Sequence, residues 1–493
     1  MLFDPTHTRP SSSHFIGGAF YDAVGAGEMD VRSASDPSLK WVLKIADANV
    51  VDDAVQAAKQ AISRSGWATM NPRKRGGILK RWSKLIEENV EEIAQLEAMV
   101  STRTYKEALS RDVLVAADCV AFFAEYADKS EGSITATETD ALSLSMRQPH
   151  GVVAAIAPWN FPLILSAWKY APALAAGNAV VLKPSELTPF SVIKIAELAV
   201  EAGVPAGIFN VIQGDGISTG APLVAHPDID YVSFTGSTAT GIAIATSAIQ
   251  TGLKPFSLEL GGKGAQVVFA DAPDLDNVVE MVARGICLNA GQVCFAGSRL
   301  VIEQSIETEF LEKLTQKISA PVPGPSWDDK ATLAPIMNAK QLGQVEDIVI
   351  KSQAQGAELV VGGNACDGPL GAAYFEPTVL RRVTDNTAAR QQEIFGPVLT
   401  VQTFTKFDEA IALADHPEYA LASAVHTRDI NKAITAARRI EAGTVWVNDW
   451  GRKADITSPF GGFKRSGQGK DLGRPGFEKY LKSKSIWMNT KMV

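Results

Sequence analysis

From Gly151 onward the chain alternates short β-rich apolar runs with longer helical stretches, and this alternation restricts the fold more than any other feature. GVVAAIA (151–157) reads as a buried strand, 163–176 as a helix, NAVVLK (178–183) as a strand and 188–202 as a helix. GIFNVIQ (207–213), a short helix, DYVSF (230–234), a helix from Thr238 and FSLEL (256–260) continue the series. Strands separated by helices imply a parallel sheet with helices on both faces. A second alternation runs from Ala265 to about Val447, and residues 479–488 read as a last strand. Upstream, Ile78, Trp82, Leu85, Ile86, Ile93, Leu96 and Met99 recur at helical spacing and predict amphipathic helices. The fold class is therefore α/β, with two α/β domains as the natural partition.

Composition narrows the function classes. The 493 residues are 46% hydrophobic and 21% charged, which describes a folded globular protein with room for a large core. A net charge of −8 spread over this length gives no electrostatic case for nucleic acid or an anionic membrane. Four cysteines, at 119, 287, 294 and 366, are too few and scattered for a disulfide framework and point to a reducing compartment. The first residues carry no basic segment leading into an apolar stretch, and the most apolar windows are broken before reaching spanning length. A soluble cytoplasmic protein is expected.

Open parallel sheets bind ligands beyond the carboxyl ends of their strands, so the residues after each strand are where chemistry belongs. After the first comes Pro158-Trp159-Asn160-Phe161-Pro162, where the Asn160 amide could donate to an oxyanion; as a lone residue it serves equally as a cap or turn. After the second comes Lys183-Pro184-Ser185-Glu186, readable as a capping turn or as a cation and a carboxylate for a nucleotide ribose. After the fourth lies Phe234-Thr235-Gly236-Ser237, then Gly241, a strand-turn-helix where a diphosphate could meet backbone N–H groups, although it is neither a Walker loop nor G-x-G-x-x-G. The last strand ends in Glu259-Leu260-Gly261-Gly262-Lys263, a carboxylate beside two glycines that open space for a ligand or water.

Thirty-five residues further on, a helix ends in Gly291-Gln292-Val293-Cys294. Intracellular cysteines are mostly buried and inert, and Cys119, Cys287 and Cys366 are read so. Cys294 follows a glycine-marked break where a thiol can be exposed and its thiolate stabilised by backbone dipoles. No H-E-x-x-H or Cys/His cluster supports a metal site, and no Cys-His signature is present, so a nucleophilic Cys294 would take a carboxylate partner. A competing enzyme class comes from Gly216-Ile217-Ser218-Thr219-Gly220, a literal G-x-S-x-G elbow with His226, His416 and His426 downstream, as in serine esterases of the α/β-hydrolase type.

Taken together with Glu393-Ile394-Phe395-Gly396-Pro397 and Pro459-Phe460-Gly461-Gly462, these motifs resemble the aldehyde dehydrogenase superfamily, in its order and near its spacing, from about Phe15 to the C-terminus. The resemblance implies a Rossmann-like cofactor domain (1–128 and 150–258), a catalytic domain (259–470), both doubly wound parallel sheets, and a β-arm for oligomerisation (129–149 and 471–493), with a homodimer or homotetramer as the assembly. It implies an aldehyde oxidised to a carboxylate with NAD as cofactor, NADP also being admitted because relatives with this motif accept both. Cys294 would be the nucleophile, with Asn160 and the Cys294 N–H holding the oxyanion of a thiohemiacetal. Glu259 would activate the water that hydrolyses the thioester, with Lys169 relaying its proton. Ala157, Pro158, Trp159, Lys183, Ser185, Glu186, Phe234, Gly236, Ser237, Glu393 and Phe395 would bind the cofactor. The glutamate at 259 separates the chain from relatives that pass the acyl group to coenzyme A.

Departures from the family pattern fall at Gly264, Phe295, Cys287 and the segment Ser101-Thr102-Arg103-Thr104-Tyr105-Lys106, and Phe295 should narrow the pocket beside the thioester. By the resemblance, Phe161, Leu165, Trp168, Phe295, Trp450 and Phe460 would line an apolar substrate tunnel. Asp455 at its mouth would pair a substrate amine, as in the subgroup oxidising aminoaldehydes and γ-glutamylaminobutanal. The aromatic residues also admit bulky aromatic or medium-chain aldehydes. A catalytically silent structural protein on the same fold is disfavoured by the joint presence of Cys294, Glu259 and Asn160.

Overall fold

The computed structural model describes residues 2–23 and 25–491. Among these the strands fall into two large sheets, of eight and seven strands, with three small two-stranded ribbons and a three-stranded arm. The first sheet has a parallel centre in the spatial order Phe209–Val211, Ala179–Lys183, Val152–Ile156, Tyr231–Thr235, Phe256–Glu259. The chain winds outward from Val152–Ile156 in one direction and returns to build the other side. This reversal opens a crevice past the carboxyl ends of Val152–Ile156 and Tyr231–Thr235.

These strands are buried throughout, as parallel strands covered on both faces must be. The helix Pro162–Ala175 follows the first of them and is buried on every side, which its nearly unbroken apolar sequence permits. It starts with proline at a position whose N–H would have no helical partner. The upstream region forms the helices Ala48–Ser65, Pro72–Glu88 and Val90–Ala98. The Asp47 carboxylate caps the first, accepting from the N–H groups of Asn49 and Val50 at 3.0 Å. Of the residues read as a helical stripe, all are buried except Leu85, which is half-buried.

Six residues after Glu259 the chain enters the second sheet at Ala265–Val268, flanked by Arg299–Glu303 on one side and Ala422–His426 on the other, both parallel. The carboxyl end of Phe256–Glu259 therefore faces the amino end of the second sheet. The two-residue strand Gly467–Gln468 returns to pair with Leu258 and Glu259 at the edge of the first sheet. The arm pairs Leu481–Asn489 along its whole length with Ala141–Pro149, and Ser133–Thr135 adds a third strand. Among the described residues no helix is long and apolar enough to cross a membrane.

Candidate active site

The crevice at the sheet's reversal point is a cavity of about 250 Å³. Pro158, Trp159 and Asn160 line it from the first strand end, Gly236 and Ser237 from the fourth, and Cys294, Glu393 and Phe395 from the second sheet's side. Ser237 caps the helix Thr238–Gln250 by accepting from the Thr240 N–H at 3.3 Å, so the helix's positive end borders the cavity. Trp159 and Phe395 meet edge to face at 5.4 Å. Glu393 Oε1 accepts from the Gly262 N–H at 3.0 Å, and burial, opposed by that bond and by Lys263, pushes its carboxyl up to about 7.

The loop before Cys294 is held by backbone geometry that few residues tolerate. Asn289, Ala290 and Gly291 all have positive φ, at 49°, 51° and 69°. A side chain on Gly291 would run into the Gly396 carbonyl, which explains why glycine stands there. The buried Gln292 side chain spans the loop: its Nε2 donates to the carbonyls of Asn289 and Pro335, and its Oε1 accepts from the Met337 N–H. Asn160 Nδ2 donates to the Gln292 carbonyl at 3.0 Å, while Asn289 Nδ2 donates to the Asn160 carbonyl at 3.2 Å. Thr102, in one of the atypical segments, closes the chain by donating to Asn289 Oδ1 at 2.7 Å. The oxyanion candidate is thus clamped to the loop that carries Cys294.

Cys294 sits where two cavities meet, the crevice just described and a narrow one of about 40 Å³ that also shares Leu165. Its thiol is not held as a thiolate here. Burial first, then the charges of Glu393 and Glu259, push it well above the ordinary thiol range, and the backbone N–H groups of Phe295 and Cys294 only partly offset this. The dipole stabilisation expected from the glycine-marked loop exists but is outweighed. Cys287 lines a separate cavity behind Asn289, and burial pushes it up to about 12.

Glu259 is buried and neither carboxylate oxygen has a hydrogen-bond partner, while burial and the neighbouring Asp471 hold it well above the usual carboxylate range. Lys479, Lys169 and Lys470 pull the other way. Lys169 projects from the buried helix toward Asp471 Oδ2 at 3.5 Å. Lys479 pairs with the other oxygen of Asp471 and donates to Ser257 Oγ at 3.1 Å. Burial works against ionisation of Asp471, but the two lysines bring it below its usual range, so a fixed negative charge lies behind Lys169. Sequence reasoning did not single out Asp471 or Lys479. They follow the last short strands in a segment with no period, and only the return of Gly467–Gln468 to the first sheet brings them under Glu259.

The narrow cavity is lined by Phe161, Leu165, Trp168, Phe295 and Asp455, as expected for a tunnel, together with Arg111, Val115, Ile164, Arg452, Ala454 and Ile456. Phe295 narrows it, backed by Trp450 at 5.6 Å and Phe460 at 5.9 Å. Trp450 and Phe460 do not themselves line the cavity; both are buried behind Phe295 as packing. Asp455 already has partners within the chain. Its Oδ1 accepts from the Thr457 N–H and hydroxyl at 2.8 and 2.7 Å, and Arg452 stands 3.6 Å from Oδ2. Against the pull of burial, bonds to Ser458 and Thr457 and the Arg452 charge bring Asp455 down to about 2.

Lys183 and Glu186 lie 3.5 Å apart, with Lys183 buried and Glu186 partly exposed, outside the crevice's lining. Ser185 caps a local turn, its hydroxyl oxygen accepting from the Leu187 N–H at 3.3 Å. The helix expected at 188 begins at Ser191, so neither Ser185 nor Glu186 belongs to its first turn. Ala157 and Phe234 are buried strand-end residues outside the lining. The hydrolase elbow is not assembled. Gly216–Gly220 is a wide helical turn capped by Asp215, His226 pairs with Asp52 at 2.9 Å, and His416 and His426 are buried in the other sheet region. Gln341 and Gln344, on the helix Ala339–Ala354, complete the crevice wall without any signal in sequence.

The chain matches the aldehyde dehydrogenase family over residues 22–486. It is 40% identical over 478 residues to the NADP/NAD-dependent aldehyde dehydrogenase PuuC of Escherichia coli (strain K12), covering 96% of this chain and 95% of that protein. Its fold superposes with a TM-score of 0.96 on indole-3-acetaldehyde dehydrogenase of P. syringae in complex with NAD+ and IAA, at 39% identity over 98% of both chains. The same TM-score relates it to γ-glutamyl-γ-aminobutyraldehyde dehydrogenase of Burkholderia cenocepacia, at 41% identity over 99% of this chain and 98% of that one. The chain belongs to the aldehyde dehydrogenase family. It is an NAD(P)-dependent enzyme that oxidises an aldehyde to the carboxylate.

Proposed function

We propose that this oxidation is carried by Cys294, with Asn160 and Glu259 as its partners, and the observation that carries the reading is that Cys294 stands at the junction of the two cavities. A thiolate there can face a carbonyl entering from the narrow cavity and a dinucleotide lying in the wide one. The crevice fits such a group: a helix N-terminus borders it, and Glu393 at its wall can accept from ribose hydroxyls. When bound, the dinucleotide supplies the hydride acceptor. Lys183 and Glu186 offer a cation and a carboxylate for the adenosine ribose, and a carboxylate at 186 opposes a 2′-phosphate. NAD is accordingly the preferred cofactor in this reading.

The Cys294 thiol loses its proton to solvent, the sulfur adds to the aldehyde carbon, and the oxygen takes the negative charge. Asn160 Nδ2 has two N–H donors and gives one to Gln292, which leaves the second for that oxygen beside the Cys294 N–H. Loss of hydride leaves a thioester on Cys294. Glu259, whose oxygens are uncommitted, takes a proton from the water that adds to the acyl carbon, and the thiolate departs as the carboxylic acid forms. Lys169, backed by Asp471, is placed to carry that proton onward. In this reading residues 1–128 and 150–258 serve the cofactor and 259–470 the chemistry. Replacing Asn160 by alanine is expected to lower kcat about 10²-fold with a smaller change in KM, read as the rate of reduced-cofactor formation with an aldehyde panel. Unchanged kcat would remove Asn160 from the site.

The arm supports a homo-oligomer. Leu481–Asn489 is a nine-residue edge strand, and Ile134 and Trp487 on this sheet are 75% and 65% exposed, a surface single chains rarely leave bare. Light scattering on the full chain should give the mass of a dimer or tetramer, and Trp487→Glu with Ile134→Glu should shift it toward the monomer. A monomeric wild type would refute this role. A reducing, cytoplasmic setting accords with four cysteines that form no disulfide among the described residues.

A further inference from the structure

The narrow cavity beyond Cys294 has apolar walls but three charged residues, and their commitments differ. Arg452 is engaged through two of its three nitrogens: Nε and Nη2 donate to the Asp455 carbonyl at 3.2 and 2.7 Å, Nη2 also to the Ser458 carbonyl at 2.8 Å, and its guanidinium lies over Phe460 at 5.1 Å. Asp455 is engaged by Thr457 and Arg452. Arg111 has neither hydrogen bond nor ion pair among the described residues. The nearest carboxylates are taken by its neighbour Arg103, which holds Asp112 at 2.7 Å and Glu107 at 3.3 Å.

The backbone that carries Arg111 is also distinctive. The helical stretch from Tyr105 to Tyr126 contains one wide turn at Ala108–Asp112, and such turns recur where a helix must present a side chain to a site. Arg111 lies in that turn and Val115 one turn on, and both line the cavity. A half-buried guanidinium in an apolar channel, with no hydrogen bond or ion pair among the described residues, has Asp112 and Glu107 acting on it only at a distance, and their charges do not offset its burial. A substrate amine would meet a cation there, and Asp455, the one acid among the cavity's lining residues, already has Thr457 and Arg452 as partners.

We infer that Arg111 is a specificity-determining residue and that the substrate is an aldehyde carrying a carboxylate at its far end, which Arg111 binds while the carbonyl faces Cys294. This rests on the reading of Cys294 as nucleophile. It also reverses the expectation that Asp455 selects an amine. A planar carboxylate can take two N–H groups of the fork at once, which rewards the match in geometry as well as charge.

The test compares 5-oxopentanoate, pentanal and 5-aminopentanal with wild type, Arg111→Gln and Arg111→Lys. Wild type should favour 5-oxopentanoate over pentanal by at least about tenfold in kcat/KM, with 5-aminopentanal poorest. Arg111→Gln should lose at least about tenfold more on 5-oxopentanoate than on pentanal, chiefly in KM, and Arg111→Lys should keep part of the preference. Equal use of the three aldehydes by wild type, a preference for the amine, or equal losses on 5-oxopentanoate and pentanal in Arg111→Gln would overturn the proposal. The wild-type ranking decides even if neither variant folds. Turnover of none of the three would count against the Cys294 reading and would take the carboxylate site down with it, whereas turnover of pentanal alone overturns only the latter.

Discussion

Cys294→Ser is expected to lower kcat/KM for aldehyde oxidation by about 10³–10⁴-fold, because a serine hydroxyl in the same pocket lacks a base to ionise it and the remaining groups only bind and orient. The crevice is left intact by the change, so dinucleotide binding, followed by fluorescence quenching, should persist. Persistence of oxidation at the wild-type rate would remove Cys294 from the chemistry. The same residue sets a pH dependence with a definite sign. Burial, Glu393 and Glu259 raise its thiol, so the thiolate fraction and kcat/KM should climb as pH rises through neutrality into the alkaline range. Glu393→Gln removes one of those negative charges and should move the rising limb to lower pH. A flat profile, or a shift in the other direction, would contradict this electrostatic account.

Glu259→Gln should separate the two halves of the reaction. Formation of the thioester does not require the carboxylate, so rapid mixing should show a burst of reduced cofactor stoichiometric with sites. Hydrolysis does require it, and the steady rate after the burst should fall by about 10²–10⁴-fold. Raised by burial and Asp471, Glu259 must still be ionised to accept a proton, so wild-type turnover should drop as pH falls through its raised value, and the variant should lose that dependence. A variant without a burst would place Glu259 in the first half instead. A variant with an unchanged steady rate would exclude it as the base.

Much of this architecture was legible before the structure. The strand ends at 156, 183, 235 and 259 were readable to within one residue because buried parallel strands are written as short apolar runs, and the motifs after them lie where an open sheet binds ligands. Asn160, Ser237 and Cys294 do converge on one crevice. The tunnel was readable only in part: Phe161, Trp168 and Phe295 face it, but Trp450 and Phe460 pack behind, since an aromatic residue near a site carries no mark of whether it lines or supports it. Asp455 stood out as a lone acid, and no pattern in the chain announces that Thr457 and Arg452 consume it.

Periodicity and local motif chemistry thus determined the α/β class and the order of the elements, and pointed to Cys294 as the candidate nucleophile, because these depend on neighbours within a few residues. Tertiary structure alone decided which charges are spent and which are free. Arg111 and Asp112 are adjacent in sequence, yet Asp112 answers Arg103 while Arg111 turns to the cavity. Asp471 reaches Lys169 across 302 positions only because a two-residue strand closes the edge of the first sheet. An ion pair is worth little or much according to its burial and the partners left over, and both are properties of the packed chain rather than of any segment of it.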